Sequence, residues 1–349
     1  MAVTIVDVAK ACGVHSSTVS RALNNRPEIS PALRKKVFEV ARKLNYRPSA
    51  AARVMGGFGN ETIGLVTEIE SGFTSYGASL IEGISLAVSS MDLKLATNAV
   101  HWGSSSEEIQ RLPVFKTDCL DGVILDVHRS EGNIEPVVQG FGIPFVFVNP
   151  ANKKELNAVM PDDVAVAEQA TRYLLDRGHR AVAYVPCLKT SHCSQAERMQ
   201  GYRNAMRDSG NLSPLLFEMA GKLAERVDHL KWNVPSQEGA EKLASYLRTH
   251  SVSGFVTYSS FEAAWLCSAL PGLGCRIPED ISIVSCDYAA VLEYLLVPVT
   301  SFVLDRVKMG QMAVEMLQER IDGKGEDRPA ILVEGVLWEG GSVATLPRN

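Results

Sequence analysis

The chain has 349 residues, of which 46% are hydrophobic and 21% are charged, and its formal net charge at pH 7 is -5. This composition is typical of a globular protein, and no run of residues approaches the roughly 18 consecutive apolar positions of a membrane-spanning helix. The seven cysteines are scattered and odd in number, which favours reduced thiols over a disulfide framework, so we expect a cytoplasmic protein with no membrane partner.

The basic residues are concentrated at the start of the chain. Residues 1–60 hold ten lysines and arginines against three acidic residues, a net charge of +7, whereas the rest of the chain carries 25 basic and 37 acidic residues. A basic segment on an acidic body indicates a polyanionic partner, such as nucleic acid, for that segment alone. Without a motif, the same charges would only form a solvated basic face.

Two short helical patterns open the chain. Thr4 and Asp7 resemble a capping box that starts the first helix, and Gly13 can adopt the left-handed conformation that ends it. Either His15 or Ser16 caps the second helix. The residues predicted to face each other are Ile5, Val8, Ala9, Cys12, Val19, Ala22 and Leu23. The second helix points Ser16, Ser17, Ser20 and Arg21 outward, and such side chains suit the major groove of DNA.

A third helix is predicted to begin at Ser30, with Pro31 in its first position, and to end near Asn45. Its inward face is Leu33, Val37, Val40, Ala41 and Leu44. Three short helices closing one small core around a tight turn form a helix-turn-helix domain. Residues 48–60 follow, with helix formers and then three glycines. So short a helix would be marginal in isolation, and this segment is predicted to be a linker.

From Ile63 onward, buried strand patterns alternate with helical patterns. The strands are TIGLVT, LKLAT, DGVILDV, IPFVFVN, NAVMP, AVAYVP, SGFVTY and ISIVSCD, and the helical stretches between them include 75–90, 162–177, 195–209, 236–249 and 305–322. This alternation predicts parallel sheets flanked by helices, divided into two Rossmann-like lobes. We therefore expect a small all-α head and an α/β body, with any ligand beyond the carboxyl ends of the strands.

The motifs of enzymes are missing. His179 stands alone before a strand, where a histidine more often satisfies backbone groups than it catalyses. The segment GGFGNE lacks the last glycine of a dinucleotide loop and leads into a strand. Cys187, His192 and Cys193 form a loose cluster without the spacing of a zinc site. We expect no enzyme, no catalytic residue, no metal and no cofactor.

The segments TIVDVAKACGVHSSTVSRALN and ISPALRKKVFEVARKLNYRPSAAARVM resemble the DNA-binding head and hinge of the LacI/GalR family of bacterial transcription regulators. The resemblance implies that Ser16, Ser17 and Arg21 read bases and that Thr18, Ser20 and Asn24 contact phosphates. It also implies that residues 48–60 form a hinge helix, in which Ala52 and Met55 enter the minor groove. Met55 stands where the family more often has leucine, although methionine is also a known wedge residue.

The body also resembles the family's effector domain, which is related to periplasmic sugar-binding proteins. The matching segments are DGVIL, IPFVFVN, LLDRGHRAVAYV, ERMQGYRNAM, RIPEDISIVSCDY and VTSFVLDRVKMGQMAVEMLQERI. The resemblance implies three crossings between lobes, near residues 161, 289 and 324. The predicted domains are a head at 1–47, a hinge at 48–60, a first lobe at 61–161 with 290–323, and a second lobe at 162–289 with 324–349.

The resemblance places effector contacts in the cleft. Arg198 and Asp287 match charged residues that hold ligand hydroxyls or a carboxylate, although the two could instead form an interlobe salt bridge. Tyr76 and Trp102 lie on cleft-facing loops and could stack on a sugar ring. The chain departs from the family in two places: Ser259 and Ser260 replace Asn-Asp, and Asn149 replaces a frequent aspartate. These losses make an ordinary sugar pocket doubtful and leave an acidic sugar, a larger glycan fragment or no ligand as alternatives.

The sequence therefore predicts a transcription regulator of the repressor type. As a homodimer it would bind a pseudo-palindromic operator in double-stranded DNA, modulated by a small-molecule effector such as a sugar derivative. Such a protein would be cytoplasmic and associated with the nucleoid. The alternatives are a regulator without a small-molecule response, a solute-binding receptor and a sugar-modifying enzyme. The basic head counts against the receptor, and the missing catalytic motifs count against the enzyme.

Overall fold

The computed structural model describes residues 4–23, 28–44, 61–69, 75–101, 103–116, 120–127, 131–154, 156–187, 192–210, 212–219, 237–323 and 327–347. Its contacts divide the chain into two compact units, Met1–Glu61 and Thr62–Asn349, which we call the head and the body. Among the described residues, no helix has the length and apolar character needed to cross a membrane.

The head contains three helices, α1 (Ile5–Cys12), α2 (Ser16–Leu23) and α3 (Pro31–Lys43). The predicted capping box is present, because the Asp7 carboxylate accepts hydrogen bonds from Thr4 N at 2.8 Å and from Thr4 Oγ1 at 2.7 Å. Gly13 ends α1 at φ 70°, in the left-handed region. The predicted start of α3 is also found, since Ser30 Oγ accepts from Leu33 N.

One apolar cluster fills the head. All residues that the sequence placed inward on the three helices belong to it, together with Val14 and Ile29. Val8, Val19, Ala22 and Val37 are 0% exposed. Because each helix contributes to the same small core, the exposed face of α2 is held by side chains on its opposite face.

The body has twelve strands and eight further helices among the described residues. The strands are β1 Thr62–Ile69, β2 Lys94–His101, β3 Gly122–Asp126, β4 Phe145–Val148, β5 Ala158–Pro161, β6 Val182–Val185, β7 Leu215–Leu216, β8 Gly254–Thr257, β9 Ser282–Ser285, β10 Thr300–Leu304, β11 Ile331–Val333 and β12 Gly335–Trp338. The helices are α4 Ser75–Ser90, α5 Ser106–Gln110, α6 Glu131–Gly140, α7 Asp163–Asp176, α8 Ser194–Asp208, α9 Gln237–Thr249, α10 Ser260–Ala269 and α11 Arg306–Ile321. Short 3-10 turns lie at Pro113–Phe115, Pro271–Leu273 and Ala290–Tyr294.

The strands form two six-stranded sheets, in the orders β11-β5-β4-β3-β1-β2 and β12-β10-β9-β8-β6-β7. All neighbouring strands run parallel except β10 and β12. Buried side chains of α4 and α11 pack on the first sheet, and those of α7 and α8 pack on the second. We call the two halves lobe 1 and lobe 2, and they confirm the predicted two-lobed α/β body. Helices α5, α6 and α10 and strands β7 and β10–β12 were not predicted.

The lobe boundaries differ from the prediction in the last third of the chain. Residues 290–323 were placed in lobe 1, but β10 lies in lobe 2 because it pairs with β9 and β12. Residues 324–349 were placed in lobe 2, but β11 lies in lobe 1 because it pairs with β5. The chain therefore crosses after β5, between β10 and α11, and between β11 and β12, rather than near residues 289 and 324.

Candidate functional site

The outward face of α2 is the candidate nucleic-acid surface. Val19 and Ala22 are buried on one side of the helix, whereas Ser17 and Arg21 are exposed. Four residues apart, they lie on one face of the helix. The other predicted contacts in α2, Ser16, Thr18 and Ser20, are half-buried beside them. The helix therefore presents a flexible cation and small hydroxyl groups to a partner.

The start of α2 is capped by His15, which resolves the alternative between His15 and Ser16. The His15 carbonyl accepts from Thr18 N at 3.0 Å and from Val19 N at 3.1 Å. Its ring Nδ1 lies 2.9 Å from Ser17 Oγ, so the ring also holds the hydroxyl that the sequence predicted to read bases. This contact orients Ser17 before any partner binds.

Helix α3 fixes the end of α1. Lys36 Nζ donates to the Cys12 carbonyl at 3.1 Å, and a cation at a helix C-terminus is favourable for the helix dipole. This contact of Lys36 was not predicted, because Lys36 entered the sequence analysis only through the net charge of the head. Several predicted DNA contacts lie outside the described residues, namely Asn24, Ala52 and Met55, together with the rest of the hinge at 48–60.

In the body, the carboxyl ends of the strands carry most of the predicted effector contacts. Asn149 follows β4, Ser259 and Ser260 follow β8, and Asp287 follows β9. Asn149 is 7% exposed and adopts φ 46°, in the left-handed region that asparagine tolerates better than most residues. The Tyr76 side chain and all of Trp102 lie outside the described residues.

Arg198 is buried and pairs within lobe 2. Its Nε donates to Asp163 Oδ1 at 2.7 Å, its Nη1 donates to the Tyr258 carbonyl at 2.5 Å, and its guanidinium lies 4.6 Å from the centre of the Tyr258 ring. Burial by itself lowers the pKa of Arg198 and is the largest single effect, but Asp163 together with Tyr258, Asp287 and Cys286 outweighs it and holds this pKa well above its ordinary value. The described contacts contain no Arg198–Asp287 salt bridge, because each residue pairs with another partner.

Asp287 pairs instead with Arg306, the first residue of α11. Arg306 Nη2 lies 2.9 Å from each carboxylate oxygen of Asp287, and the two side chains are only 10% and 16% exposed. This salt bridge joins lobe 1 to lobe 2. Arg306 was not among the predicted site residues, yet an arginine at the positive end of a helix dipole is unfavourable without an anionic partner.

The two serines that replace the family's polar pair begin α10. Ser259 Oγ accepts from Phe261 N at 3.2 Å and donates to Glu262 Oε2 at 2.5 Å. Burial raises the pKa of Glu262. Ser259 and Ser260 are 8% and 7% exposed. The Ser259 hydroxyl is therefore engaged in capping its own helix.

His179 and Cys193 have structural roles. His179 Nε2 lies 3.1 Å from the Ala344 carbonyl, as expected for a ring that satisfies backbone groups. Burial raises the pKa of Cys193 to about 12, so the thiol stays protonated. No group of three or more potential metal ligands is found among the described residues.

Two family models match the chain. A model of bacterial regulatory proteins of the lacI family matches residues 4–49, and a model of the periplasmic binding protein-like domain matches residues 171–343. Together they take in the helices of the head and most of the second half of the body.

Curated relatives align along nearly the whole chain. The HTH-type transcriptional repressor PurR of Vibrio vulnificus is 28% identical over 333 residues, covering 93% of this chain and 94% of its own. The HTH-type transcriptional regulator CelR of Thermobifida fusca is 27% identical, covering 95% of each chain. The ribose operon repressor of Escherichia coli K12 is 24% identical, covering 97% and 99%.

Solved structures share the fold. The Lac repressor dimer bound to operator and the anti-inducer ONPF superposes with a TM-score of 0.75 at 18% identity, covering 99% of this chain and 100% of its own. A complex of the transcriptional regulator CelR with cellobiose has a TM-score of 0.64 at 23% identity, covering 97% and 99%. The chain therefore carries a helix-turn-helix head of the lacI family of bacterial regulatory proteins and, behind it, a periplasmic binding protein-like domain.

Proposed function

We propose that the chain is a transcription regulator of the repressor type that binds a pseudo-palindromic operator in double-stranded DNA. The observation that carries the proposal is the exposed face of α2, with Ser17 and Arg21 side by side. Arginine can donate two hydrogen bonds to guanine O6 and N7, while hydroxyls suit phosphates and adaptable contacts. Such a protein acts at the chromosome, so we place it in the cytoplasm, associated with the nucleoid, and we assign it no enzymatic activity.

In this assignment residues 1–47 are the DNA-binding domain and residues 48–60 are the hinge. Ser16, Ser17 and Arg21 read bases, Thr18, Ser20 and Asn24 contact phosphates, and Ala52 and Met55 enter the minor groove. The proposed homodimer would need an apolar contact surface. Leu86 of α4 is 52% exposed, and Tyr294 and Leu296 are 84% and 100% exposed, so these side chains are candidates for it.

The small molecule is proposed to bind between the lobes, where Tyr76, Trp102, Asn149, Arg198, Ser259, Ser260 and Asp287 would contact it. A sugar or sugar derivative is the first class to test, because relatives include a ribose operon repressor and a regulator solved with cellobiose. A regulator without a small-molecule response is the second candidate. It is favoured by the engagement of Arg198, Ser259 and Asp287 with protein partners.

The DNA-binding proposal is tested by titrating the full chain and a truncation lacking residues 1–58 against operator selected from a random library. The full chain is expected to lose affinity steeply with added salt, because neutralised phosphates release counterions. The truncation is expected to stay folded and dimeric and to lose all binding. A truncated body that still shifts DNA would refute the assignment of the head.

The two candidates for the cleft are separated by thermal shift of the full chain against sugars, sugar acids and purines. A ligand that binds the folded state raises the melting temperature with its concentration. A ligand found in this way is then added to the operator titration. A bound ligand that leaves operator affinity unchanged would favour the regulator without a small-molecule response.

A further inference from the structure

The two lobes touch at a contact separate from the three crossings of the chain. In lobe 1 the contact is formed by residues 149–153, which follow β4, and in lobe 2 by residues 192–197, which begin α8. Four interactions join them: Cys193 N to the Ala151 carbonyl at 2.7 Å, Cys193 Sγ to the Pro150 carbonyl at 3.7 Å, His192 Nε2 to the Asn149 carbonyl at 3.1 Å, and Lys153 Nζ to Glu197 Oε1 at 3.0 Å.

The hydrogen bonds of His192 specify its tautomer. The Asn149 carbonyl can only accept, so the proton must be on Nε2. The other nitrogen, Nδ1, then accepts from Ser194 N at 3.2 Å and lies 2.8 Å from Ser194 Oγ. A second proton on Nδ1 would face the Ser194 N–H group. The neutral ring protonated on Nε2 satisfies each of these three contacts.

Both ends of this bridge are held in place. Asn149 N donates to the Val159 carbonyl at 2.9 Å, which fixes the Asn149 backbone to the lobe 1 sheet. On the other side, Ser194 Oγ lies 2.8 Å from Tyr258 Oη. Burial raises the pKa of Tyr258 to about 12, so its hydroxyl keeps its proton and can donate to Ser194. His192 therefore links two rigid parts of different lobes.

We propose that His192 is a positioning residue that pins lobe 2 to lobe 1 and sets the lobe arrangement of the protein without ligand. A ligand can change operator affinity only if it prefers one lobe arrangement to another. In this proposal the His192–Asn149 bond is kept in one arrangement and lost in the other. This role deepens the proposed effector response, but the pin itself depends only on the contacts of the body.

A purely local role is the rival explanation, because the same ring caps the start of α8 through Ser194. Two substitutions separate the roles. In His192→Asn the side chain can replace Nδ1 but is too short to reach Asn149. In His192→Gln the amide can replace Nε2 and donate to the Asn149 carbonyl. The matched control is His250→Asn, because the described contacts of His250 are with Tyr246 and Thr249 of α9 in the same lobe.

The test is hydrogen exchange of the Cys193 amide, which donates across the same contact, in the full chain without DNA or ligand. We expect His192→Asn to speed its exchange about 3- to 10-fold, as for the loss of one hydrogen bond, and His192→Gln and His250→Asn to leave it close to wild type. Wild-type exchange in His192→Asn would overturn the proposal. Equal acceleration in the Asn and Gln variants would also overturn it, because the ring would then act only by local packing.

A measurement on the unmodified chain covers the case in which a variant does not fold. Nitrogen-15 correlation spectra of histidine-labelled protein report which ring nitrogen carries the proton. The proposal requires a neutral His192 protonated on Nε2, and a ring protonated on Nδ1 would overturn it. Neither measurement contains DNA or ligand, so their failure would leave the proposed DNA binding intact.

Discussion

Replacing Arg21 with alanine should weaken operator binding without weakening the fold. Arg21 is exposed on α2, and the buried side of that helix is held by Val19 and Ala22. Alanine is also the better helix former. We therefore expect the free energy of unfolding of the head to change by about 0.5 kcal/mol or less, as for most surface substitutions. Any larger change in DNA affinity then reports a lost contact with DNA.

The size of the loss follows from the geometry of a dimer. A bidentate contact between arginine and guanine contributes about 1 to 3 kcal/mol of discrimination. Two half-sites double this to about 2 to 6 kcal/mol, which is a factor of roughly 30 to 25,000 in the dissociation constant. On random DNA the loss should be much smaller, because a phosphate contact is all that the side chain can make there.

The assay is fluorescence anisotropy of the wild type and of Arg21→Ala against selected operator and random duplex at one salt concentration. Lys35→Ala is the matched control, since Lys35 is an exposed cation on α3 and should affect both DNAs equally. Equal losses of Arg21→Ala on operator and random DNA would refute the base-reading role and make Arg21 a phosphate contact.

Three further substitutions test the body. A methyl group at Gly83 would lie 2.0 Å from the Val307 carbonyl oxygen. Gly83→Ala should therefore lower the free energy of unfolding, measured by urea denaturation, by about 1 to 3 kcal/mol or more. The control Gly132→Ala should not lower it, because a methyl group there would have no atom within 4 Å. Burial lowers the pKa of His179 in the folded state, so the unfolded chain binds more protons. The contribution of His179 to the free energy of unfolding is therefore complete above about pH 6.5 and is lost as the pH falls below that value. His179→Gln should flatten this pH dependence in urea denaturation between about pH 5.5 and 7.5. Asp287→Asn should abolish the effect of any cleft ligand on operator affinity and keep ligand-free affinity, and an unchanged ligand response in operator titrations would remove Asp287 from the site.

Local patterns were enough to predict the head and most of the body. Helix α1 begins and ends at capping residues that can be read from neighbours in the sequence, namely Thr4, Asp7 and Gly13, and α3 begins at the predicted cap Ser30. Strands β1 to β6 are short apolar runs between turn residues. Local patterns did not predict β11, because it is only three residues long and is a strand only through its pairing with β5. Helix α10 was missed because its apolar residues are spread around the helix.

The site was predicted less completely, because partners from distant parts of the chain decide it. Arg198 and Asp287 were expected to face a ligand or each other, yet each has another partner, Asp163 and Arg306. Both pairs join residues that are far apart in the sequence, so local patterns do not predict them. His192 was considered only for metal binding, whereas its contacts with Asn149 and Ser194 are structural.

Two of the three crossings between lobes lie near the end of the chain, and this limits when the body can fold during translation. Strand β5 of lobe 1 pairs with β11, and the lobe 1 core includes Met309 and Leu317 of α11. In lobe 2, β9 pairs with β10, which in turn pairs with β12. A nascent chain that has left the ribosome up to residue 290 therefore contains neither lobe in finished form. Both should become protease-resistant together, in the last moments of translation, and chaperones should find exposed apolar surface until then.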